Sequence, residues 1–199
     1  MTATSTARNR TAIGIRCHSG WAAVIVAHGN RLKIEILERR RIELCDPKIE
    51  GSKQPFHFAE PMAFADAQGF IARCRSSTDG LARKAFAGLA PDGVAGCAVL
   101  CASARKLPPL KGILASHALI HAAEGEFYRD AVCRAAERVG IPVVRIREKD
   151  VLVQASDCTR LQEAMLAERL ASLGKRVGPP WTTDQKLATL AAWCVLAVN

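Results

Sequence analysis

Apolar residues recur along the chain with periods that change from segment to segment, and each period predicts an element. Thr11 to Arg16 (TAIGIR) and Trp21 to Ala27 (WAAVIVA) are short runs of β-branched and small residues separated near Gly20. His28-Gly29-Asn30 reads as a tight turn. Beyond it Leu32, Ile34 and Ile36 alternate with Arg31, Lys33 and Glu35, the period of two of a half-buried strand. That strand continues into Glu38 to Glu43 (ERRRIE), a sheet edge guarded by charge, which makes three antiparallel strands.

Pro47 to Pro61 has no sustained period and reads as a loop or insertion. From Ala63 to Leu89, Phe70, Ile71, Cys74, Leu81, Ala85, Phe86 and Leu89 fall at helical spacing, with Ser76 to Gly80 as a candidate break. Val94 to Cys101 (VAGCAVLC) is almost continuously apolar, as a strand covered on both faces must be. A long helix from Ile113 follows, with Leu119, Ala122, Ala123, Phe127, Ala131, Ala135 and Val139 as its expected packed face. Gly140 and Pro142 stop it, and Ile141 to Ile146 form a fifth strand. A further helix is expected over roughly Thr159 to Leu173, and Thr182 or Thr183 caps a last one running to Val198. The class is α/β with a five-stranded mixed sheet: three antiparallel strands, then alternating helices and strands.

At 199 residues and 49% hydrophobic content the chain can bury one sizeable core, so residues 11–199 are expected to form a single domain. Residues 1–10 are polar and basic without the apolar core of a secretory signal, and read as a disordered tail. The longest strongly apolar run, near Ala191 to Val198, is far short of the ~20 residues of a membrane span, so a cytoplasmic protein without a membrane partner is expected. The eight cysteines form no CxxC pair and read as reduced, buried hydrophobes. Cys97 and Cys101 share a strand face but stand ~13 Å apart, too far for one metal ion. The net charge of +9 admits nucleic acid as a partner and equally a basic solvated surface. Another protein is the remaining partner class, and nothing in the pattern sets an oligomeric state.

The densest chemistry lies between His117 and Arg129. His117, His121 and Glu124 fall at i, i+4 and i+7, one helix face that can present two imidazoles and a carboxylate. The favoured alternative has His117 at the helix start and His121 packed partly buried, with no metal assigned. Glu124 or Glu126 with Arg129, and Asp130 with Arg134, fit surface ion pairs. Arg39-Arg40-Arg41 reads as a solvated edge, since no aromatic residues interleave it to stack on bases. No phosphate-binding glycine loop or nucleophile elbow occurs.

The segment Ile13-Gly14-Ile15-Arg16-Cys17-His18-Ser19-Gly20 stands where a hydrophobic-Gly-Ile-Asp-x-Gly first strand is found in bacterial Holliday-junction resolvases. Ile141-Pro142-Val143-Val144 followed by Asp150-Val151 is similar to their fifth strand and the basic helix after it. Thr183-Asp184-Gln185-Lys186-Leu187-Ala188 is similar to the start of their last helix. From about Ala12 to the C-terminus the chain thus resembles the ribonuclease H-like superfamily. The resemblance implies that fold, and a nuclease in which acids on the first strand, after the fourth and on the last helix hold two Mg²⁺ ions about the scissile phosphate.

Here the first of those positions is Arg16, the fourth strand ends Leu100-Cys101-Ala102-Ser103, and Leu187 follows Asp184 on the last helix. The expectation is therefore a degenerate site without a cofactor, in a non-catalytic nucleic-acid-binding or assembly module. The alternative is a Mg²⁺-dependent nuclease whose acids have moved to Glu124 and Asp184. Arg16 must find a partner at the end of a buried strand. Either it pairs with Asp184 or Glu124, with the face from His117 to Glu124 close by, or it binds an anionic ligand assisted by His18 and Ser19. His117 and His121 are further candidates for ligand contact.

Overall fold

The computed structural model describes residues 9–89, 93–102 and 106–198; most of the expected N-terminal tail lies outside the described residues. Among the described residues five strands, β1 (Arg10–His18), β2 (Trp21–Gly29), β3 (Ile34–Glu43), β4 (Val94–Cys101) and β5 (Val143–Arg147), form one sheet in the order β3-β2-β1-β4-β5. The first three are antiparallel neighbours, and β4 and β5 add parallel to β1. Among the described residues seven α-helices cover the sheet: α1 (Pro55–Ala59), α2 (Phe64–Ala87), α3 (Leu110–Leu114), α4 (His117–Arg138), α5 (Val151–Thr159), α6 (Glu163–Val177) and α7 (Thr183–Ala197). None of the described helices is long and apolar enough to cross a membrane.

Strand alternation divides the interior into two cores. Ile13, Ile15 and Cys17 of β1, with Cys97 and Val99 of β4, face α1 to α4. Ala12 of β1, with Ala98 and Leu100 of β4, faces α5 to α7. The run VAGCAVLC lacks polar alternation because both its faces are covered.

Gly14 sets how closely α7 approaches the sheet. A Cβ built on it would stand 1.8 Å from the carbonyl oxygen of Ala188, so only glycine allows this backbone contact. Thr182 caps α7 with a reciprocal capping box to Gln185, as its position before the last apolar run predicts.

Several boundaries differ from the sequence reading for identifiable reasons. The hairpin turn is Asn30 to Lys33, since β2 continues to Gly29; Asn30 Oδ1 accepts from the amides of Leu32 and Lys33, at 2.9 and 3.2 Å. The expected loop from Pro47 to Pro61 contains α1, opened by Pro55 in the first turn. Helix α2 runs unbroken through Ser76 to Gly80 because Thr78 is buried, so packing overrides weak propensity.

The long helix expected from Ile113 is two, α3 and α4, divided at Ala115-Ser116. Of the predicted face of α4, Ala123, Phe127, Ala131 and Ala135 are buried, whereas Ala122 and, just past its end, Val139 are exposed, and the buried face extends instead to Ile120, Tyr128, Val132 and Ala136. The helix expected over Thr159 to Leu173 is α6, which starts only at Glu163; α5, the helix after Asp150-Val151 that the resemblance implied, ends at Thr159, and Arg160 adopts a left-handed conformation at φ 58° between the two. The arginine run is not uniformly solvated, because Arg39 donates to the carbonyls of Val177, the last residue of α6, and of Gly178 and Pro180 just after it.

Candidate functional site

The α7 face of β1 carries Gly14, Arg16 and His18 in succession. Two residues along a strand advance ~6.6 Å, and four residues back along a helix retreat ~6 Å. With Gly14 against Ala188, this geometry brings Asp184 level with Arg16. Arg16 Nη1 donates to Asp184 Oδ1, and His18 Nε2 lies 3.0 Å from the same oxygen and 3.2 Å from Arg16 Nη1. The sheet register supplies a second acid. Arg16 pairs with Leu100 and Leu100 with Ile146, so Glu148, two residues past Ile146, extends the same row. Arg16 grips it with two bonds, Nε to Oε2 at 2.9 Å and Nη2 to Oε1 at 2.7 Å, the fork geometry that arginine is suited to.

The network continues outward across the sheet edge. His18 stacks on Trp21 with ring centroids 4.3 Å apart, and Arg41 lies 3.9 Å over the Trp21 ring. Ser19 lies in the turn between β1 and β2. Arg129 on α4 donates to the carbonyl of Leu100 at 3.0 Å, placing another cation beside the end of β4.

The charges in this network are mutually stabilised. Hydrogen bonding from Arg16 lowers the Glu148 pKa against the opposing effect of partial burial. For Asp184 partial burial favours the neutral acid, but hydrogen bonds from His18 and Arg16 outweigh it and the pKa is lowered. Arg16 is raised, chiefly by its bond to Glu148. About a fifth of the Arg16 and Asp184 side chains remains exposed, 21% and 20%, so the pair is half-buried rather than sealed.

These residues do not fit a two-metal centre. The guanidinium lies between Glu148 and Asp184 and bonds to both of the acids that a cation would need. No acid occurs between the end of β4 and Glu124.

Glu124 does not reach Arg16, because α4 packs on the opposite face of the sheet from α7. Its Oε1 accepts instead from the amides of Phe56 and His57, at 2.8 and 3.0 Å, and lies 3.2 Å from His57 Nδ1. Helix α1 has no side-chain cap of its own, and the Glu124 carboxylate caps it from another element. Burial raises the Glu124 pKa although the bonds from His57 and Phe56 oppose it.

His117 and His121 sit over α1 as well, so the face from His117 to Glu124 serves α1 and not the Arg16 network. Of the expected surface pairs, Glu126 meets Arg129 at 3.0 Å; Asp130 instead meets Arg145, and Arg134 meets Asp79. The cysteines are free thiols, and burial pushes Cys17 up to about 12, which removes it as a nucleophile at neutral pH.

Sequence reasoning missed Glu148 and His57. The strand parity of Arg16 and the pairing of β4 with β5 contain the signal for Glu148, but only once the sheet order is known. His57 lies in a segment without period, and nothing local marks it.

Neither a protein-family model nor a curated protein matches the chain. Among solved structures, Thermus thermophilus RuvC in complex with a Holliday junction substrate aligns with a TM-score of 0.51 at 15% identity, covering 93% of this chain and 91% of that one. A second Thermus thermophilus RuvC structure aligns with a TM-score of 0.51 at 14% identity, over 92% and 91% of the two chains. The order of strands, the parallel placement of β4 and β5, and this coverage together establish that the chain has the ribonuclease H-like fold, as RuvC does.

Proposed function

We propose that the chain is a non-catalytic nucleic-acid-binding module on a ribonuclease H-like scaffold. The observation that carries this reading is Arg16, whose guanidinium is held by Glu148 and Asp184 at the end of β1, where the fold's nucleases are expected to place an acid. A charge-compensated network there leaves no carboxylate free for Mg²⁺. The net charge of +9 supports attraction to a polyanion. Around the network Arg41 and Arg147 are more than half exposed, and the ion pair of Arg41 with Glu43 is a surface pair that phosphate can displace. The solved RuvC complex, in which that protein holds a Holliday junction, supports a branched nucleic acid as the first ligand to test.

The test is fluorescence anisotropy with four-way junction, duplex and single-stranded DNA and RNA, followed by incubation of the same complexes with Mg²⁺ or Mn²⁺. The expected result is salt-sensitive binding without cleavage. A footprint of about three phosphates predicts roughly 40-fold weaker binding between about 50 and 200 mM salt. Absence of binding to every nucleic acid would overturn the reading in favour of a protein-assembly role.

One observation favours a second reading, a metal-dependent nuclease with relocated acids. Glu148, Asp184 and His18 converge on Arg16, and an outward swing of that side chain would leave two carboxylates and an imidazole facing one point. Glu124 has no part in that version. Cleavage that requires Mg²⁺ and is lost in Asp184→Asn would establish it.

A further inference from the structure

On the other face of the sheet, three imidazoles from two elements meet. His117 and His121 are one turn apart on α4, with Nε2 atoms 3.0 Å from each other and ring centroids 4.5 Å apart. His57 of α1 comes against both, with centroid distances of 5.5 Å to His117 and 4.6 Å to His121. One ring nitrogen from each of the three lies within 4.8 Å of the other two. A tetrahedral metal with bonds of 2.0 to 2.1 Å to nitrogen requires its ligands about 3.3 Å apart, so small side-chain rotations suffice to close the set.

We propose that His57, His117 and His121 form a transition-metal site of the Zn²⁺ class, with Glu124 as the carboxylate that orients His57. Two adjacent histidines on a helix are an ordinary occurrence, and the pair alone would carry little. The decisive feature is behind the third ring. Glu124 Oε1 stands 3.2 Å from His57 Nδ1 while also fixing the His57 amide, which leaves the opposite ring nitrogen, Nε2, as the one to ligate. A carboxylate on the far nitrogen of an imidazole is the usual support for a metal-bound histidine. Glu124 is buried, and among the described residues its Oε2 has no hydrogen-bond partner, so this acid is held in place for a short list of contacts.

Ligand chemistry selects the ion. Three imidazoles suit Zn²⁺, Cu²⁺ or Ni²⁺ and are poor ligands for Mg²⁺, which prefers oxygen. His117 and His121 are exposed, so a fourth position faces solvent and is open to water. The site joins the five-residue α1 to α4, and its mechanical consequence is to fasten the segment between β3 and α2 onto the helical layer.

The test uses the full chain, with any purification tag removed, dialysed against chelator and titrated with Co²⁺ and then Zn²⁺. The expected result is one Co²⁺ per chain with the visible absorption of a four-coordinate nitrogen site, displaced by one Zn²⁺, and a melting temperature raised several degrees by Zn²⁺. His121→Ala and His57→Ala should each weaken Zn²⁺ at least about 100-fold, and Glu124→Gln about 10- to 100-fold with stoichiometry retained. His121 is exposed, so its replacement leaves the fold intact and any loss of metal reports ligation. Saturation with unchanged affinity in His121→Ala, or Co²⁺ spectra showing thiolate charge-transfer bands, would overturn the proposal by assigning the metal to cysteines. So would the absence of saturable binding below about 100 μM.

Discussion

Asp184 and Glu124 are acids on helices packed against opposite faces of the same sheet, and their surroundings push their proton affinities in opposite directions. Asp184 shares Arg16 with Glu148 at a half-open edge, and both acids are held below their ordinary pKa. Glu124 is 4% exposed, meets backbone amides and an imidazole in place of a guanidinium, and is held above its ordinary pKa. A guanidinium with residual solvent keeps a carboxylate ionised, whereas the amides and imidazole around the buried Glu124 do not fully replace lost hydration. The first centre is thus electrostatic and the second architectural.

The largest effect that separates them is expected from Gly14→Ala. Its new methyl would collide with the Ala188 backbone, displacing α7 and with it Asp184, at a cost of about 3 kcal/mol or more in chemical denaturation. The Glu124 centre, on the other face, should keep its contacts. Next, Glu124→Ala strands the amides of Phe56 and His57 and should destabilise by about 2 to 3 kcal/mol, while Glu124→Gln, which retains the acceptor oxygen, should cost less than about 1 kcal/mol. Equal losses in the two variants would show that the charge, and not the acceptor, matters there.

Arg16→Ala leaves Glu148 and Asp184 facing each other without their cation and should cost about 1 to 2 kcal/mol. That is below the 3 to 5 kcal/mol of a fully buried pair, because solvent screens the partly exposed charges.

The smallest and most diagnostic effects are in the pH dependence. Acids with lowered folded pKa values contribute stability above their unfolded pKa, near 4, and lose it as pH falls through the folded values. The advantage of wild type over Arg16→Ala should therefore be full at neutral pH and shrink below about pH 4. Glu124 has the opposite sign. Its raised pKa means that ionisation opposes folding, a penalty absent below the unfolded pKa and complete above the folded one. Glu124→Gln should accordingly compare best with wild type at neutral pH and lose ground in acid, as read from denaturation midpoints across the range.

Much of the architecture was legible because strand periods are short and local. The alternation of Ile34 and Ile36 with Glu35 and the unbroken VAGCAVLC run report directly on half-covered and doubly covered strands, whereas Leu32, the first residue of the expected alternation, lies exposed in the turn before β3. Helix faces were less legible: α4 is rich in alanine, and its apolar residues fit more than one stripe, so the buried one is settled by what packs against it. The candidate site divides in the same way. Arg16 and Asp184 are visible from their places on the first strand and last helix. The separation of Glu124 from them follows from parity, since Arg16 shares a face with Gly14 and not with Ile15. Glu148 and His57 depend on tertiary docking, of β5 beside β4 and of α1 on α4, and no local period encodes either contact.

The end of β1 holds a compensated ion network, and calorimetric titration of Mg²⁺ tests most directly the proposal that this network stands in place of a metal centre. Mg²⁺ is the appropriate ion because the three histidines beside α1 are poor ligands for it. The wild-type chain should show no saturable Mg²⁺ binding, and Asp184→Asn should be indistinguishable from it. Saturable binding in the wild type that disappears in Asp184→Asn would contradict the account and place a metal where Arg16 is said to lie.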